Sequence, residues 1–107
     1  MKNKKIIYYM SSTHWDREWY LPFQGFRYEL VKTVDDMVNK LENNKDFTCF
    51  TFDGQTVVLE DYKQIAGKRT EKLEKLIKEK RVLVGPWYVM PDEFLVSGES
   101  LIRNISK

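Results

Sequence analysis

His14 and Asp16 lie two residues apart in Ser11-Ser12-Thr13-His14-Trp15-Asp16-Arg17-Glu18-Trp19, directly after the β-forming run Lys5-Ile6-Ile7-Tyr8-Tyr9-Met10. Side chains two apart in an extended chain point the same way, so this imidazole and this carboxylate converge on one point. Both are natural ligands for zinc. Trp19 in the same loop offers a flat apolar face, and metal, carboxylate and aromatic platform together suggest a sugar-processing site. The competing reading of so short a pattern is a turn with a hydrogen-bonded histidine. His14 is the only histidine, so this chain cannot build a two-histidine zinc site by itself.

Other residues could join such a site. Asp53 follows the run Phe47-Thr48-Cys49-Phe50-Thr51-Phe52 and either caps the next helix or contributes to a binding surface. Trp87-Tyr88-Val89-Met90-Pro91-Asp92-Glu93 has the form of an active-site loop, with aromatics beside two carboxylates. A glycosidase needs two carboxyl groups, one held protonated by its surroundings. Adjacent Asp92 and Glu93 point in different directions on an extended segment, which leaves one of them a structural part. For Trp15 and Trp19, burial in the core is the alternative to contact with a ligand.

The elements that must position these residues alternate. Ile6 to Met10 reads as a strand buried on both faces of a parallel sheet. Leu30, Val31, Val34, Met37, Val38 and Leu41 recur at helical spacing and predict a helix from about Phe26 to Asn43, stopped at Asn43-Asn44. Phe47 to Phe52 is the second predicted strand, followed by a helix over Gln55 to Ala66 that Gly67 terminates. Thr70 is the expected N-cap of a helix reaching Lys80. Arg81 to Val84 is a third strand, closed by Gly85-Pro86, and Ser97-Gly98-Glu99-Ser100 caps a last helix starting near Glu99.

This order is that of a parallel α/β unit, in which ligands bind at the carboxyl ends of the strands. His14, Asp16, Asp53, Trp87 and Asp92 all fall on or just beyond such ends. Three strands do not close a barrel and leave pairing edges open, so the chain reads as the beginning of a larger fold that is prone to self-association. No internal repeat, low-complexity tract or linker divides residues 1–107, and one domain segment is expected.

Composition narrows the function classes. Eighteen basic residues face sixteen acidic ones, and a net charge of +2, interleaved as in Lys68-Arg69-Thr70-Glu71-Lys72, argues against nucleic acid as a partner. Cys49 is the only cysteine, which excludes an internal disulfide and favours a cytoplasmic setting; within its apolar run it reads as a buried, inert thiol. The apolar run after the basic start Met1-Lys2-Asn3-Lys4-Lys5 is too short for a secretory signal or a membrane span, so no membrane partner is expected.

Three motifs in order now resemble the N-terminal part of the bacterial α-mannosidases of glycoside hydrolase family 38. They are Ser12-Thr13-His14-Trp15-Asp16-Arg17-Glu18-Trp19, then Phe52-Asp53-Gly54-Gln55-Thr56 with Leu59-Glu60-Asp61-Tyr62, then Gly85-Pro86-Trp87-Tyr88-Val89-Met90-Pro91-Asp92-Glu93 running to Asn104. The resemblance implies that this chain is the N-terminal portion of a seven-stranded β/α barrel, incomplete here, in a retaining enzyme acting on α-mannosides. It implies that His14 and Asp16 are two zinc ligands and that Trp19 stacks under the mannose. Asp53, Trp87 and Asp92 are expected to serve substrate binding.

In that family a further Asp, both ligand and nucleophile, lies in an Asp-x-Phe-Gly-His type motif downstream, and the general acid and second histidine lie later still. No such motif occurs in these residues, so no catalytic residue is assigned and the isolated chain is expected to be inactive. The alternative from another class is a non-catalytic carbohydrate-binding or interaction module that uses the aromatic loop.

Overall fold

The computed structural model describes residues 3–107; Met1 and Lys2 of the basic start lie outside the described residues. The apolar stripe with helical spacing forms the helix α1, Phe23–Asn43, which buries Phe26, Leu30, Val34, Met37, Val38 and Leu41. It ends where expected, with the Asn44 amide donating to the Lys40 carbonyl at 2.9 Å.

Before α1 lies a two-residue strand β1, Ser12–Thr13, and after it β2, Phe50–Phe52. Then come α2, Val57–Ala66, a short 3-10 turn at Gly67–Arg69, α3, Thr70–Lys78, β3, Val82–Leu83, and α4, Gly98–Ser106. The strands form one parallel sheet in the order β1-β2-β3. A single apolar cluster joins the inner faces of α1, α2 and α3 to Phe52 of β2 and Val82 of β3.

Gly67 ends α2 as expected, at φ +56°, where a side chain would be strained. At the centre of the core Tyr62 is 1% exposed, and its hydroxyl donates to Asp35 Oδ1 at 2.7 Å. Burial, and then the bond to that carboxylate, push the phenol well above its ordinary value. Arg69 pairs with the other oxygen of Asp35, so α1, α2 and the 3-10 turn meet at one carboxylate.

Four sequence expectations are corrected. Ile6 to Met10 is not a buried strand: Ile7, Tyr8 and Tyr9 are about nine-tenths exposed, and the ladder begins only at Ser12. The segment that should pair with it, Phe47-Thr48, gives its carbonyls to the Arg81 guanidinium instead, at 2.9 and 3.2 Å, and β2 shortens to Phe50–Phe52. Thr70 is not an N-cap: Arg69 occupies that position, and the Thr70 hydroxyl is buried without a partner. Cys49 is half-buried, because the run around it is only partly paired.

Ser97 does cap α4, accepting from the Ser100 amide at 3.2 Å. The apolar Ile102 and Ile105 of α4 remain exposed, so polar contacts hold this helix. Asn104 accepts from the Tyr88 and Val89 amides at 3.0 and 2.9 Å and donates to the Val89 carbonyl at 2.7 Å. Each such bond contributes about 0.5–1.5 kcal/mol net. Asn104→Ala should therefore speed amide exchange at Val89 by about tenfold, and less at Tyr88, whose amide keeps the Asn104 backbone carbonyl at 3.3 Å; unchanged protection at Val89 would show that the loop is held by other contacts.

Candidate metal and sugar site

The register of the sheet builds the site. β1 and β2 pair with Thr13 opposite Phe52, which sets the next residues, His14 and Asp53, side by side at the carboxyl ends of their strands. His14 Nδ1 pairs with Asp53 Oδ2, and its Nε2 faces Asp16 Oδ1 at 3.3 Å. The imidazole thus stands between two carboxylates while its side chain stays 63% exposed. The hydrogen bond to Asp53 raises the His14 pKa above its ordinary value; burial opposes the rise, and the charges of Asp53 and Asp16 add to it.

The donor set can be tested against a metal. Two ligands about 2.1 Å from one tetrahedral zinc lie about 3.4 Å apart. The 3.3 Å between His14 Nε2 and Asp16 Oδ1 fits that span. Asp53 is engaged at the other ring nitrogen, the position from which a carboxylate orients a metal-binding histidine. Among the described residues no group of three or more His, Cys, Asp or Glu side chains is arranged to hold an ion. Among the described residues, one imidazole nitrogen and one carboxylate stand at ligand spacing, with a second carboxylate on the far ring nitrogen.

Two cavities flank the pair. One of about 360 Å³ is lined by His14, Asp16, Arg17, Gln55 and Asp92. The other, about 440 Å³, is lined by His14, Asp16, Trp19 and Tyr20. Trp19 is 75% exposed, whereas Trp15 packs edge-on to Phe26 against the core and also lines both cavities. Asp92 lines the first cavity and Glu93 lines neither, in keeping with the opposed directions expected of adjacent carboxylates.

Trp87 also lines neither cavity. Its backbone bridges to Gln55, and its carbonyl accepts from the Thr56 amide at 2.9 Å. The tight passage here needs Gly54: its φ is +104°, and a Cβ would stand 3.3 Å from the Met90 sulfur. Asp53 is not a helix cap, since α2 begins after Thr56 with no side-chain cap. Sequence reasoning did not single out Gln55, whose buried amide nitrogen donates to the Trp15 carbonyl at 2.8 Å and to Asp53 at 3.3 Å. Its place beside Asp53 and Gly54 was the available signal.

Known proteins resemble this chain in sequence and in fold. The family model described as the glycosyl hydrolases family 38 N-terminal domain matches residues 4–107. A protein of Halalkalibacterium halodurans named "Putative mannosylglycerate hydrolase" is 42% identical over 102 residues, which is 95% of this chain and 11% of the relative. The crystal structure of an α-mannosidase from Enterococcus faecalis V583 aligns with a TM-score of 0.86 at 40% identity, over 90% of this chain and 11% of that one. A glycosyl hydrolase family 38 protein from Enterococcus faecalis aligns at 0.78 and 36% identity, over 91% of this chain and 11% of that one. The chain therefore spans about a tenth of the length of these relatives.

Proposed function

Because the chain belongs to glycosyl hydrolase family 38, as part of its N-terminal domain, we propose that it forms one wall of the zinc and substrate site of a retaining α-mannosidase. The observation that carries this reading is the 3.3 Å span between His14 Nε2 and Asp16 Oδ1, backed by Asp53 on the far ring nitrogen. The parallel order β1-β2-β3 supports placing these residues at the start of a seven-stranded barrel. The names of the relatives from Halalkalibacterium and Enterococcus support a mannoside as the substrate class.

Each side chain has a part. Asp53 accepts the Nδ1 proton of His14 and so leaves Nε2 free to act as a ligand beside Asp16. Trp19 presents its exposed ring to the apolar face of the sugar, and Asp92 meets hydroxyls from the opposite cavity. Trp87 serves the substrate indirectly, by anchoring the loop that carries Asp92. Zinc, when bound, would act as a Lewis acid on the sugar hydroxyls and fix the ring. With no Asp-x-Phe-Gly-His segment in these residues, the chain alone should not hydrolyse an aryl α-mannoside.

The setting we infer is cytoplasmic. No helix among the described residues is long and apolar enough to cross a membrane. The open sheet edges and the exposed Ile7, Tyr8 and Tyr9 support self-association of the isolated chain.

Calorimetric titration of the chain with zinc between about pH 5 and 8 tests the reading. Zinc needs the neutral imidazole, and the proton is held above the ordinary histidine value. Affinity should therefore weaken about tenfold per pH unit below that raised pKa, in a window opening above 6.5. The metal-free chain runs the other way. A histidine pKa raised on folding stabilises fully below the unfolded value, and that contribution is lost as pH rises through the folded one. No zinc binding, or binding independent of pH, would overturn the proposal.

A further inference from the structure

We propose that Asp61, acting through Arg17, is the positioning residue that holds the loop from His14 to Trp19 where its ligands converge; the role in metal binding rests on the reading above that this loop holds zinc. Asp61 lies on α2 and is 3% exposed. It accepts from Arg17 Nε at 2.8 Å and from Arg17 Nη2 at 3.1 Å, a two-pronged contact that fixes the guanidinium plane. Arg27 of α1 stands on the other side, its Nε 3.5 Å from Asp61 Oδ1. The Phe23 ring lies against both guanidinium groups, at 4.9 and 5.2 Å.

The division of labour between the two arginines supports positioning rather than stability alone. A carboxylate so buried needs a countercharge, and Arg27 supplies one from the helix already packed on α2. Arg17 brings a second from a segment that is neither helix nor strand and directly follows Asp16. Besides this fork, the loop is tied down by the Trp15 carbonyl accepting from Gln55 and by the Trp19 amide donating to the Leu21 carbonyl at 3.3 Å. Of these ties, the Gln55 bond acts on the backbone of the residue before Asp16 and the fork on the side chain of the residue after it, so the fork is the tie that fixes the downstream side of Asp16. The rigid pair therefore sets the backbone from which the Asp16 carboxylate points to His14.

The test compares Arg17→Lys and Asp61→Asn with Val38→Ala, a core change distant in sequence from the loop, in the 107-residue chain. Zinc affinity by calorimetry should fall about 10- to 100-fold in the first two variants, the range for groups that orient ligands. Val38→Ala should lose thermal stability while binding zinc like the parent. Equal zinc affinity in all chains overturns the role. Should Asp61→Asn fail to fold, Arg17→Lys keeps the charge, loses the fork and carries the test. If the parent itself binds no zinc, the zinc reading fails, and amide exchange of residues 15–19 in the metal-free chains decides the clamp. Faster exchange in Arg17→Lys but not in Val38→Ala supports it, and equal exchange overturns it.

Discussion

His14→Ala should abolish zinc retention by this chain, and Asp16→Ala should do the same. Groups that only orient a ligand typically account for 10–100-fold in affinity, so loss of a ligand itself should exceed about 100-fold. His14 is the sole imidazole, and without it the remaining donors are carboxylate oxygens shared with solvent. Asp16 lies at ligand spacing from Nε2 and would supply negative charge to balance a bound ion. Within the longer enzyme we propose, the same substitutions should remove metal and mannosidase activity together. Dialysis followed by elemental analysis reads the result, and full metal occupancy in either variant would refute the ligand assignment.

The second large effect is on stability. Leu30 is completely buried in α1, within the cluster that joins three helices to the sheet. Leu30→Ala removes its transfer free energy and leaves a cavity, at a cost of about 3–5 kcal/mol. Domains of this kind have about 5–15 kcal/mol in total. This chain belongs toward the low end, because Ile6 to Met10 stays outside the core and the strands are short. Leu30→Ala should therefore populate the unfolded state at room temperature, seen as a lowered midpoint in urea unfolding with an unchanged slope. A loss below about 1 kcal/mol would mean that α1 repacks freely, against the close-packed core described above.

The consequence reaches the site. α1 carries Phe23 and Arg27, and both meet the Arg17–Asp61 pair that holds the metal loop. Unfolding of α1 would therefore take zinc binding with it, whereas a variant that stays folded, such as Val38→Ala, keeps Phe23 and Arg27 in place.

Much of this protein was legible in its residues. The helices α1, α2 and α3 declare themselves by periodicity, because one face must be apolar to be buried. Their ends at Asn44 and Gly67, and the Ser97 cap of α4, follow from local backbone chemistry that needs no distant partner. His-x-Asp after a strand named two convergent side chains for the same local reason, and the three motifs in order carried the family. Strand extent was less legible. Ile6 to Met10 has the composition of a buried strand, but pairing depends on what a second segment does with its carbonyls, and Phe47-Thr48 gives them to Arg81.

By itself, then, the sequence determined which residues could bind a metal and a sugar, and which segments would be helices, since both rest on neighbours a few residues apart. Only the tertiary structure decided how those residues are held. Parallel register brings Asp53 to His14 across 39 residues, and helix packing brings Asp61 to Arg17 across 44. It also set the two tryptophans of one loop apart, packing Trp15 partly against the core and leaving Trp19 largely exposed. Contacts between residues so far apart depend on how whole elements dock, which the sequence around either partner does not contain.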